Sequence, residues 1–211
     1  MKLPSINGIR KWWERGRRTR NKLWHRITRT DMIIVILSID HDDQIVPRKA
    51  ETRVREIMDK KDKLRNLVKE EITSRGVNLI CEESDPSRLS IAQEEAFNHK
   101  PRIPWKNIIM TAQERLEADI WEALLYRPSE PDFDKGIEIQ YRIPEDDVRE
   151  EFFKNEILKA AKEAGAKSVL VLCGDMHTEA LKVKLEDAGH DVEANHDLTP
   201  EKHWQNLPDS D

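Results

Sequence analysis

Short apolar runs punctuate the chain, and each stops at a polar or flexible residue. Val169 to Cys173 is unbroken and rich in β-branched residues, the pattern of a strand buried on both faces in a parallel sheet. Gly174 ends it, Asp175 and His177 follow, and a helical stretch begins near Thr178 and continues to about Ala188. Met32 to Ile39 repeats the pattern and runs into Asp40, His41, Asp42, Asp43 and Gln44. Val77 to Cys81 ends at Glu82, Glu83, Ser84 and Asp85, and shorter strand candidates lie at Trp105 to Ile109 and Asp191 to Ala194. Between these runs the apolar period becomes helical. Val54, Met58, Leu64, Leu67, Val68 and Ile72 form a stripe along a helix from about Lys49 to Arg75, which Gly76 is placed to end. Pro86 and Ser87 suit the start of a helix over Leu89 to His99. Thr111 caps a helix towards Leu125, and a helix over about Glu145 to Glu163 stops at Gly165. Residues 127–144, rich in Pro, Asp and Glu, read as a loop, and residues 199–211 as a helical turn and polar tail. Strands alternating with helices predict an α/β fold with a mostly parallel central sheet flanked by helices.

Charge divides the chain. Residues 1–31 hold ten Lys/Arg against Glu14 and Asp31, a balance of +8 in a chain of net −5, which leaves −13 for the rest. Residues 1–30 therefore read as a basic arm, 31–197 as the α/β domain and 198–211 as a tail. The arm carries Trp12, Trp13 and Trp24, and Ile9, Trp13, Trp24 and Ile27 share one helical face, weakened by Gly16. It suits a helix packed on the domain, an interfacial segment for anionic lipid or nucleic acid, or a frayed extension. It lacks the apolar centre of a secretory signal. No apolar run approaches the roughly 20 residues of a membrane span. Cys81 and Cys173 each end an apolar run and are expected buried and reduced, in a cytoplasmic protein.

The candidate chemistry sits at the strand ends. Two of them deliver histidines, in Ser38-Ile-Asp-His41 and Gly174-Asp-Met-His177, and a third delivers Glu82 and Glu83. Parallel strands align their carboxyl ends, where open α/β sheets hold ligands. His41, His177 and a carboxylate suit a divalent transition metal with positions left for water and substrate. Glu82 and Glu83 are not both cheaply buried, so one is expected to reach solvent. Arg88 and Arg149 are expected to hold carboxylates, or Arg149 to meet substrate charge or developing negative charge. His177, as a strand-end polar group, is expected to be removable at little cost to the fold. His25, His99, His190, His196 and His203 read as surface groups.

In these motifs the chain resembles the superfamily that joins the TraB proteins, the Tiki metalloproteases, the erythromycin esterases and the ChaN haem-binding lipoproteins. Ser38-Ile-Asp-His41 stands where that group has Gly-Thr-x-His. Glu83-Ser-Asp-Pro-Ser-Arg88 matches the spacing of Glu-Leu-Asp-x-x-Arg, and Arg149, Glu150 and Ile157 match its Arg-Asp and following Ile. Gly174-Asp-Met-His177 stands for Gly-x-Gly-His. The resemblance covers roughly residues 32–194. Ser38 replaces a Gly, Glu150 an Asp and Met176 a Gly. The resemblance implies a ChaN-like or erythromycin-esterase-like α/β fold and favours Glu83, by its spacing to Arg88, as the functional glutamate. It implies a hydrolase of the metal-dependent peptidase or esterase kind acting on a small molecule or peptide. His41, Glu83 and His177 would hold Mn²⁺, Co²⁺ or Zn²⁺, Glu82 or Glu83 would be the general base, and Arg88 and Arg149 would share the cleft. Two further readings stand beside it: metal-free hydrolysis with a histidine activating water, and a non-catalytic module for a small polar ligand.

Overall fold

In the computed structural model, which describes residues 32–47, 55–120, 129–132, 137–199 and 204–206, the apolar runs become strands. In chain order, β1 (Ile33–Ile39) leads into α1 (His41–Gln44), α2 (Arg55–Arg75), β2 (Leu79–Glu82), α3 (Ile91–Asn98), β3 (Trp105–Asn107) and α4 (Ala112–Glu117). Then come β4 (Ser129–Asp132), β5 (Ile137–Arg142), α5 (Pro144–Ala164), β6 (Ser168–Gly174), α6 (Asp175–Asp187), β7 (Asp191–Asn195) and β8 (Trp204–Asn206). The main sheet has the order β3-β2-β6-β1-β7 and is parallel throughout.

The apolar run that suggested burial on both faces is the middle strand, and every residue of β6 is buried. Side chains alternate across a strand, and the core divides accordingly. Ile34, Ile36, Leu79, Cys81, Val169, Val171 and Cys173 face Phe153 and Ile157 of α5 and Leu181 and Leu185 of α6. Val35, Leu37, Ile39, Ile80, Leu170 and Leu172 face Leu64, Val68 and Ile72 of α2 and Ile91 and Ala92 of α3. Cys81 and Cys173 are free and buried as expected. Burial raises both thiols, Cys81 to about 12, so neither is a thiolate at neutral pH.

Local signals placed several helix ends, although α4 stops at Glu117 instead of running towards Leu125. Thr111 caps α4 in a capping box with Glu114. Gly165 ends α5 at φ +60°, a left-handed conformation that glycine adopts without strain. Three expectations need correction. Residues 127–144 are not a plain loop: β4 pairs antiparallel with β5. The Pro and acidic content concealed the alternation in Ile137-Glu-Ile-Gln-Tyr. The expected polar tail supplies β8, parallel to β5, and Leu198 packs against the core. The start of the third helix is Ser90, whose side chain accepts from the Gln93 N–H, while Pro86 and Ser87 form a turn. The basic segment 1–30, with its expected helix and its lipid or nucleic-acid partner, lies outside the described residues. Among the described residues no helix is long and apolar enough to cross a membrane.

Leu170 is fully buried in the middle strand. Leu170→Ala is expected to lower unfolding free energy by about 2–5 kcal/mol, and Val171→Ala by less, in denaturant titrations.

Candidate functional site

Strand order brings the candidate residues together. β6 lies between β1 and β2, so its last residue, Gly174, sits between the chain leaving β1 towards His41 and the chain leaving β2 at Glu83. Ile39 is in register with Gly174 and Glu82 with Leu172. The ladder extends one residue further, the Glu83 N–H donating to the Leu172 carbonyl at 2.9 Å.

Both glutamates are buried, contrary to the expectation that one would reach solvent. Alternation along β2 sends them to opposite faces, and each finds its own donors. Glu83 turns to the α5 face. Arg149 Nη2 donates to its Oε1 at 2.5 Å, and the Gly174 N–H donates to its Oε2 at 3.2 Å. Burial alone would raise its pKa. Attraction to His177, His41 and Arg149, with the Gly174 hydrogen bond, more than offsets this and holds the carboxyl below its ordinary range. Glu82 turns to the α3 face, where Ser90 Oγ (2.5 Å) and Trp105 Nε1 (2.8 Å) donate to its Oε2 and no hydrogen-bond donor reaches Oε1. With no cation in contact, burial pushes it up to about 7 against those hydrogen bonds and the weaker pull of His41.

His41 opens α1, and its side chain is 53% exposed. Gln44 donates from Nε2 to the Glu83 carbonyl at 3.0 Å, which turns its Oε1 towards His41 Nδ1 at 3.4 Å. Gln44 Oε1 so placed can accept from an Nδ1–H, and His41 Nε2 lies 3.7 Å from Glu83 Oε2. The glycine of the Gly-x-x-His motif has a direct steric reason. A Cβ on Gly174 would lie 2.8 Å from His41 Nε2. His41, Glu83, Arg88 and Arg149 line one cleft of about 310 Å³, with Gln44, Ile45, Ser84, Asp85 and Ile109.

His177 departs from expectation. It lies in the first turn of α6, which begins at Asp175, and it is 3% exposed and outside the cleft lining. Its Nδ1 is 3.1 Å from Glu150 Oε1, and its ring meets Phe153 edge-on at 5.6 Å. Glu150 is fully buried and gripped at both oxygens by Arg142, whose Nη1 also donates to the Met176 carbonyl at 2.6 Å. The metal set His41, Glu83 and His177 does not fit as arranged. Glu83 already accepts at both oxygens, and among the described residues no three His, Cys, Asp or Glu side chains converge as a cation requires. Arg149 does hold carboxylates, Glu83 and, at 3.7 Å, Asp146. Arg88, expected to do the same, has no carboxylate within 4 Å among the described residues.

Sequence reasoning missed Arg142, hidden in the presumed loop, and Gln44, which no motif marked. It also missed a neighbouring polar cluster. The Ser38 hydroxyl donates to Asp175 Oδ1 at 2.7 Å and meets Thr199 Oγ1 at 2.6 Å. His196, read as a surface group, lies between Asp175 (3.4 Å) and Glu179 (2.8 Å).

Because His177 bridges a buried network, His177→Ala is expected to cost about 1–3 kcal/mol. His41→Ala, at a half-exposed side chain, should change stability by no more than about 0.5 kcal/mol. Urea titrations of the two variants check the contrast. Glu82 predicts a pH dependence. Its folded pKa of about 7 exceeds the ordinary 4.5, so the folded chain holds this proton longer, and ionisation erodes stability as pH rises through that interval. Glu82→Gln removes the effect. Relative to the native chain, the variant should gain on the order of 3 kcal/mol between about pH 4 and about pH 8. A pH-independent difference in denaturant titrations would refute the assignment.

Comparison of the chain with protein-family models, curated proteins and solved structures finds no match, so the family resemblance rests on the four motifs themselves.

Proposed function

We propose that the chain is a metal-independent hydrolase of small esters or amides, with His41 as the general base. The observation that carries this reading is the pairing of a half-exposed imidazole with a buried carboxylate 3.7 Å from its Nε2, both lining one cleft. Nε2 takes a proton from water as the water oxygen adds to the substrate carbonyl. The imidazolium formed is stabilised by Glu83, whose depressed pKa keeps it ionised. The proton then passes to the departing alkoxide or amine as the carbon–oxygen or carbon–nitrogen bond breaks, giving an acid and an alcohol or amine. Arg149 borders the cleft and, paired with Glu83 and Asp146, holds the Glu83 carboxylate in place beside His41. His177 acts from behind, as a positioning group that supports Glu83 and fixes the start of α6. A non-catalytic module for a small polar ligand is the second reading. It is favoured by Ser38, whose side chain takes the motif's first glycine position and is committed to Asp175 and Thr199.

The test is hydrolysis of chromogenic carboxylic esters and short peptides by the full chain, in chelator and with added Mn²⁺, Co²⁺ or Zn²⁺. Turnover should persist in chelator and fall by about 10²–10⁴-fold in His41→Asn. Gly174→Ala, whose Cβ would displace the imidazole, should cut turnover while the melting temperature stays near that of the native chain. Turnover that requires added metal would restore the metal-centred reading of His41, Glu83 and His177. Saturable ligand binding without turnover would favour the binding module.

A further inference from the structure

Among the described residues, two polar groups lining the cleft lack a contact that their chemistry calls for. Arg88 follows the turn Asp85-Pro-Ser-Arg88, its N–H donating to the Asp85 carbonyl at 3.2 Å. Its guanidinium meets no carboxylate within 4 Å among the described residues. Asp85 borders the same cleft, but its Oδ1 accepts from the Ser87 N–H (2.9 Å) and Oγ (2.7 Å). Arg149 differs, because Glu83 at 2.5 Å and Asp146 at 3.7 Å already match its charge. The second group is Ser84. This residue is 2% exposed, lines the cleft, and its hydroxyl has no hydrogen-bond partner. Buried polar atoms in folded proteins nearly always have partners. A buried hydroxyl with no partner and a guanidinium with no carboxylate within 4 Å among the described residues line the same cleft, which marks it as the place of a missing acceptor.

We infer that Arg88 and Ser84 form a subsite for an oxyanion, a carboxylate or phosphate group carried by the substrate. A guanidinium presents a planar fork of N–H donors that suits either group, and a hydroxyl adds a further donor. Of the remaining cleft charges, Glu83 is offset by Arg149, and Asp85, whose Oδ1 accepts from Ser87, feels the Arg88 charge without approaching it within 4 Å. The volume of about 310 Å³ lies at the small end of ligand pockets, so the occupant is a compact anionic molecule. This rests on the cleft being the functional site, and it names the class of substrate that the proposed hydrolase, or the binding module, accepts.

The experiment is calorimetric titration of the full chain with inorganic phosphate and, separately, with succinate, at constant ionic strength in chloride. Saturable binding of one anion is expected, at least about tenfold weaker in Arg88→Gln and several-fold weaker in Ser84→Ala. The stronger of the two titrants identifies the group. Arg88→Lys keeps the charge without the fork and should bind with intermediate strength. His41→Asn should bind the anion undiminished while losing turnover. Absence of saturable binding to both anions overturns the inference. So does binding unchanged in both Arg88→Gln and Ser84→Ala. Anion binding by a chain that hydrolyses nothing would sink the hydrolase and leave the subsite standing. Turnover of neutral esters without anion binding would do the reverse.

Discussion

The candidate site depends on keeping one carboxylate charged inside the protein. Glu83 has 1% of its surface exposed, and a buried ion costs several kcal/mol unless charge and hydrogen bonds compensate it. Its partners come from three separate parts of the chain: Arg149 on α5, the Gly174 amide with the nearby His177 where β6 passes into α6, and His41 on α1. Breaking the β2–β6 register would remove the amide and misplace the arginine together. The carboxylate and the sheet edge therefore stabilise one another, and the polar site is part of the reason this register is chosen.

The neighbouring glutamate shows how far environment decides chemistry. Glu82 and Glu83 are adjacent in sequence and both buried, yet their pKa values are shifted in opposite directions. Glu83 meets an arginine and a backbone donor, while Glu82 meets only the neutral donors of Ser90 and Trp105. Neutral hydrogen bonds reduce the cost of burying a charge, and a contacting cation removes far more of it. One residue is therefore suited to steady negative charge and the other to holding a proton near neutrality.

Behind Glu83 lies a second layer, Arg142, Glu150 and His177. Arg142 ties the end of β5 to α5 through Glu150 and to α6 through the Met176 carbonyl. This joins the smaller sheet to the first turn of the helix that carries the Gly-x-x-His motif. The two histidines of similar motifs thus have different environments. His41 is half exposed at the cleft, and His177 is sealed within the network.

The sequence by itself determined the strands of the main sheet, most helix ends, and the edge at which the chemistry collects. These follow from local patterns: unbroken apolar runs, a helical stripe, and glycines where the backbone turns or a side chain approaches closely. It also singled out His41 and Glu83, because strand ends in a parallel sheet share one edge, and Arg88 and Arg149 through the spacing of their motifs. Only the tertiary structure decided what each polar group meets. That both glutamates are buried follows from helices covering both faces of β2. The partner of His177, Glu150, is held by Arg142, a residue on a strand whose alternation was masked by Pro and acidic composition. That no carboxylate lies within 4 Å of Arg88 among the described residues could not be read from spacing at all. Whether an ion is paired depends on which side chains reach within about 4 Å through space, and sequence separation carries no information about that distance.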